Sequence, residues 1–103
     1  MPTTIQDPET LTSEQQEILV AAMNDRGQFA ILQRSDTFGK AVRTKKVRFF
    51  DADDSEVARK YLDAVKQLEQ LLLVREIGKR DHFELTNVGW LVGRKVQQAQ
   101  RRR

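Results

Sequence analysis

Leu11, Ile18, Leu19, Ala22 and Met23 recur at three- and four-residue spacing, which predicts a first helix with one buried stripe. Its start is expected at Thr12 or Ser13, because Thr12 with Gln15, or Ser13 with Gln16, has capping-box spacing. Glu14 and Glu17 sit where the helix dipole favours anions. The helix should stop at Asn24-Asp25-Arg26-Gly27, where Gly27 can take a left-handed turn. A short apolar run, Phe29 to Leu32, then has strand length, and Ser35, Asp36 and Gly39 supply turn chemistry. Ala41 to Phe50, rich in Val, Thr and Phe, reads as a second strand completing a hairpin. Alternation along it places Val42, Thr44, Lys46, Arg48 and Phe50 on one face, and Ala41, Arg43, Lys45, Val47 and Phe49 on the other. Neither face is cleanly apolar, so this strand is expected at a sheet edge, with its cations protecting that edge from aggregation.

The second helix has the clearest pattern. Ala58, Tyr61, Leu62, Val65, Leu68, Leu71 and Leu72 form a stripe reaching about Leu73, and Arg59, Lys60, Asp63, Lys66, Gln67 and Gln70 lie opposite. Asp53 with Glu56 has capping spacing at its start. A second hairpin follows, Leu73 to Ile77 against His82 to Leu85 across Gly78-Lys79-Arg80-Asp81. Thr86 or Asn87 caps a last helix with Val88, Leu91, Val92 and Val96 inward. The expected organisation is a polar lead-in over 1–10, one domain over 11–97 and a frayed basic tail over 98–103. The fold class is α+β, in the order α-β-β-α-β-β-α.

The stretch from Tyr61 to Gly93 resembles the C-terminal half of winged-helix domains. The residues that carry this are LEQLLLVREI and then HFELTNVGW. The family pattern is a helix ending in leucines, a short strand, a basic turn, a return strand, then Leu-Thr with a glycine close behind. Leu68, Leu71 and Leu73 match the helix end, and Phe83, Leu85, Thr86 and Gly89 match the return strand and cap. The sequence departs from the pattern twice. The family usually has glycine where Leu72 stands, and a β-hairpin replaces the second of the two short helices that usually precede the long one. The whole arrangement looks like a small, mostly uncharacterised bacterial module. The resemblance implies a winged-helix-like fold more than a function; a DNA-binding, transcription-regulating role is the class expected with that fold.

Charge is segregated along the chain. Residues 1–27 carry five acids and one base, 28–50 six bases and one acid, 51–77 seven acids and four bases, and 78–103 seven bases and two acids. A chain with a formal net charge of only +3 can therefore present a basic face. Lys40, Arg43, Lys45, Lys46 and Arg48 put five cations into nine residues, a pattern whose alternate side chains can follow backbone phosphates. Lys79 and Arg80 occupy the tip of the expected wing. The acid-rich start of the second helix (Asp51, Asp53, Asp54 and Glu56) argues against reading a major groove with that end. Contact is expected through the first hairpin, the wing, and Arg59, Lys60 and Lys66, directed at phosphates rather than bases.

Other chemistry is thinly represented. The chain has no cysteine, which excludes a disulfide framework and thiolate metal sites and fits a cytoplasmic protein. No apolar run reaches the length of a membrane span, and the N-terminus lacks the pattern of a signal peptide. The single histidine, His82, has no catalytic spacing around it and is expected on an edge strand or surface. The acids from Asp51 to Glu56 lack the spacing and central glycine of a calcium loop, and Gly78, Gly89 and Gly93 form no phosphate loop. No cofactor, metal or enzymatic role is expected. Trp90, between Gly89 and Gly93, could anchor an interface, including a homodimer, or pack against the wing or first helix. Two functions are expected: a small nucleic-acid-binding accessory or regulatory protein, or a protein-interaction and oligomerisation module of the same fold.

Overall fold

The computed structural model describes residues 10–33, 40–49, 54–78 and 81–101. Its elements are α1 (Ser13–Met23), β1 (Gln28–Gln33), β2 (Lys40–Arg43), β3 (Arg48–Phe49), α2 (Ser55–Gln70), β4 (Val74–Glu76), β5 (His82–Leu85) and α3 (Asn87–Arg101). The strands form one antiparallel sheet in the order β3-β2-β1-β5-β4. The two expected hairpins are thus fused into a single five-stranded sheet through the pairing of β1 with β5. Among the described residues, no helix is long and apolar enough to cross a membrane.

Helix α1 begins as its sequence implies. The Thr12 hydroxyl accepts from Gln15 N at 3.2 Å, and the Gln15 side chain accepts from Thr12 N at 3.0 Å. The helix ends at Asn24, and Arg26 (φ 58°) and Gly27 (φ 78°) turn the chain into β1. At α2 the cap is Asp54, whose carboxylate accepts from Glu56 N at 3.0 Å; Asp53, the expected cap, lies outside the described residues.

The C-terminal end of α2 resolves the missing glycine. Leu72 itself takes the left-handed conformation, with φ 62°. Leu73 N then donates to Leu68 O and Leu72 N to Glu69 O, both at 3.0 Å, a Schellman closure built on a leucine. This turns Leu71 and Leu72 outward, so the apolar stripe stops at Leu68 and resumes only at buried Leu73. The Thr86 hydroxyl donates to Leu72 O at 2.7 Å and accepts from Gly89 N at 3.0 Å, tying the end of α2 to the start of α3. A Cβ on Gly89 would overlap the Leu73 carbonyl oxygen, so only glycine permits this approach.

The core lies between one face of the sheet and the three helices. Phe29 and Phe83, cross-strand partners, stack with ring centroids 5.2 Å apart. Val42 and Phe49 are also direct partners, and the Phe49 ring stacks on Tyr61 of α2 at 4.7 Å. Ile18, Leu19, Val65, Leu68, Val92 and Val96 close the core from the helices. Helix α3 turns Gly89 and Gly93 inward, Gly93 against Met23 of α1, and leaves Leu91 exposed rather than buried. It also runs through Arg101, so residues 98–101 belong to a helix and not to a frayed tail.

Candidate nucleic-acid interface

The basic segment from Lys40 to Arg48 is not one strand. It breaks at Thr44, whose N–H donates to Val47 O at 2.8 Å. The Thr44 hydroxyl accepts from Lys46 N at 3.2 Å and Val47 N at 3.0 Å. A buried threonine therefore folds the segment back on itself, which simple alternation could not anticipate. Of this segment only the two-residue β3 lies at a sheet edge; β2 is flanked on both sides. Because of the turn, Val42 and Phe49 share the covered face, while Arg43 and Arg48 stand directly opposite one another on the other face.

The helix residues Ile18, Leu19, Val65, Leu68, Val92 and Val96 share one core with Phe29, Val42, Phe49 and Phe83 of the first face, while on the second face Ala41 is buried and Arg43 partly exposed. Across the sheet, Arg48 pairs with Arg43, Arg43 with Ala30, and Ala30 with His82. A row of three basic side chains with one alanine therefore crosses four strands. The neighbouring row is Gln28, Glu84 and Arg75. There Arg75 is neutralised, its Nε donating to Glu84 Oε1 at 2.7 Å. Among the described residues, no carboxylate lies within ion-pair distance of Arg43, Lys45, Lys46 or Arg48. The backbone N–H of Lys45 donates to Asp25 Oδ2 at 3.1 Å, which fixes the turn against the α1–β1 corner. Lys45 and Lys46 are exposed at the tip.

The remaining expected contacts lie elsewhere. Lys40 lies 3.9 Å from Asp81 in an exposed ion pair. Arg59, Lys60 and Lys66 project from α2, which covers the opposite side of the sheet, and Arg59 lies 4.0 Å from Glu56. Lys66 borders a groove of about 320 Å³ between α2 and the sheet, floored by Ile31, Leu62, Val65 and Phe83. Lys79, Arg80 and the acids Asp51 and Asp53 lie outside the described residues. The structure thus brings together Arg43, Lys45, Lys46 and Arg48, and separates them from the cations of α2.

Of the two placements expected for His82, edge strand or surface, the structure shows the second: β5 lies between β1 and β4, and His82 is exposed on its Arg43-facing side. The β1–β5 register puts it in line with Arg43, a relation that no local sequence pattern contains. Trp90 is half-buried, its indole resting on Gly27, where an added Cβ would lie 2.6 Å from the ring. The neighbouring glycines serve contacts within the chain, to Leu73 and Met23.

Two polar links brace α1 against α2 behind the first hairpin. Gln15 Nε2 donates to Gln67 Oε1 at 2.6 Å, and the Tyr61 hydroxyl donates to Glu17. Burial, then the hydrogen bond to Glu17 and the charges of Glu17 and Glu14, push the Tyr61 phenol up to about 12. Among the described residues no cluster of His, Asp and Glu is arranged to hold a metal ion.

Compared with protein-family models, curated proteins and solved structures, the chain matches none significantly. The winged-helix likeness therefore rests on the residues between Tyr61 and Gly93.

Proposed function

We propose that this chain is a small, non-enzymatic nucleic-acid-binding domain of accessory or regulatory type, which contacts mainly the phosphate backbone. The observation that carries this reading is the direct opposition of Arg43 and Arg48 on the sheet face away from Val42 and Phe49, with exposed Lys45 and Lys46 beside them. Like charges opposite one another cost stability. An anionic partner removes that cost, and counterion release adds affinity at low salt. Among the described residues that face presents no Phe, Tyr or Trp at its strand positions, which favours phosphate contact over base stacking.

The winged-helix reading is supported by the order α2, β4, β5, α3 and by Leu72, which adopts the backbone conformation of the family's glycine. In this reading the contact surface is the first hairpin rather than the start of α2, where Asp54 and Glu56 are exposed. A cytoplasmic location belongs to the same reading.

The test is fluorescence anisotropy of labelled random-sequence oligonucleotides, single-stranded and duplex, at low and moderate salt. Affinity that falls steeply with salt, and is lost on reversing the charges of Lys45, Lys46 and Arg48, is the expected result. Unchanged affinity in that variant would overturn the proposal. A protein-interaction role is the second reading. It is favoured by Leu72 and Leu91, which are 73% and 45% exposed. No binding at low salt would turn attention to it.

A further inference from the structure

The face of Arg43 and Arg48 contains a recess of about 210 Å³ where β1, β2 and β5 meet. Ala30 forms its floor, with Arg43 as its partner on β2 and His82 as its partner on β5. The short methyl group leaves space between two longer basic side chains. Gln28 lines the recess from β1, and Lys45 from the β2–β3 turn. Asp25 also lines it, but its carboxylate accepts the Lys45 N–H and so holds the turn in place.

We propose that this recess is a phosphate seat, taking a phosphodiester or phosphate monoester between Arg43, Lys45 and His82, with the Gln28 carboxamide as a neutral donor. Three observations carry it. The volume is below the roughly 300–1,000 Å³ of pockets for drug-sized ligands, so it suits a compact ion. A guanidinium, an ammonium, an imidazole and an amide converge from three separate segments, and a phosphate offers several acceptor oxygens to such a set. The one other acid of the adjoining strands, Glu84, is engaged by Arg75. Arg43 is only partly exposed, so its attraction for an anion is less screened than that of Lys46 at the tip. Arg48, one strand further out, extends the cationic row beyond the recess and gives a second phosphate of the same chain a partner. The seat rests on the nucleic-acid reading only for the source of its phosphate.

Backbone-amide NMR of the full chain at low ionic strength tests both parts. The probes are inorganic phosphate, a short single-stranded oligonucleotide and its duplex. Resonances of Ala30, Arg43, Lys45 and His82 should shift with phosphate and with at least one oligonucleotide. Arg43→Gln should weaken oligonucleotide binding about tenfold, the worth of one charge-assisted hydrogen bond. Lys60→Gln, on the far side of the sheet, should change it less than about twofold, the scale of an exposed charge off the interface. Unchanged circular dichroism establishes that Arg43→Gln is folded, and His82→Gln provides an independent second variant. Phosphate binding here without oligonucleotide binding would keep the seat and overturn the nucleic-acid reading. Oligonucleotide binding indifferent to Arg43→Gln and His82→Gln would keep that reading and overturn the seat. No response of these resonances to any probe would also overturn the seat.

Discussion

The two hairpins place arginine in equivalent positions and treat it oppositely. On β4–β5, Arg75 stands across from Glu84 and is neutralised. On β2–β3, Arg43 stands across from Arg48, and no described carboxylate relieves either. The second hairpin is also bound to its surroundings by backbone bonds. Leu85 N donates to Gly27 O at 2.7 Å, and Ile31 N to Asp81 O at 2.8 Å. The β2–β3 hairpin is closed by the Thr44 turn, pinned at its tip by the Asp25–Lys45 bond and paired along β2 with β1. One hairpin is built for stability. The other retains a repulsion that stability alone would remove, which is the physical signature expected of a surface that binds an anion.

The largest test of this contrast is Gly89→Ala. The new methyl group must displace the Leu73 backbone, so despite a helix-propensity gain of about 1 kcal/mol the loss should be roughly 2–3 kcal/mol in urea unfolding. Gly78→Ala, at a position with nothing within 4 Å, should change stability by less than about 0.5 kcal/mol. A smaller effect of opposite sign is expected at Leu72. Leu72→Gly relieves the left-handed strain and removes an exposed apolar side chain, and should stabilise by roughly 0.5–1 kcal/mol. A loss of stability instead would mean that the leucine packs in a way its exposure denies.

Exchange of charge between the hairpins should produce the next effect. Arg48→Glu converts the repulsive pair into the arrangement of the second hairpin and should stabilise by roughly 0.2–1 kcal/mol, while abolishing oligonucleotide binding. Glu84→Arg should destabilise by a similar amount, and both changes should shrink as salt rises. If the two substitutions shift stability in the same direction, the contrast between the hairpins fails.

The smallest effect concerns pH. Tyr61 backs the first hairpin through Phe49, and the folded state raises its phenol from 10.0 to about 12. The folded protein therefore holds this proton more tightly than the unfolded chain does. The resulting stability is complete below about pH 10 and is lost as pH rises towards 12. Tyr61→Phe should flatten that part of the stability–pH curve, read by denaturant unfolding. An unchanged slope would assign the alkaline loss to other groups.

Local signals made the helices legible. The capping box at Thr12, the long stripe of α2 and the Thr86 cap each depend on residues within one turn of each other, so the pattern carries its own geometry. The candidate site was legible only in composition. Five cations between Lys40 and Arg48 announced a basic segment, but reading it as one strand put Arg43 and Arg48 on opposite faces. The Thr44 turn reverses that assignment, because a turn resets the period-two alternation on which the faces depend. Leu91 was misplaced for a related reason. Leucine outranks glycine in any apolar count, yet glycine is what lets α3 approach Leu73 and Met23.

By itself, the sequence determined the three helices, the segregated charge and the α+β class, all set by neighbours a few residues apart; the four expected strands became five, because Thr44 splits the basic one. Only the tertiary structure decided that β1 joins the hairpins into one sheet, that His82 falls in line with Arg43, and that the cations of α2 lie away from those of the first hairpin. Those facts depend on register between segments distant in the chain. Register is chosen by the packing of Phe29 on Phe83 and Val42 beside Phe49, which no local pattern records.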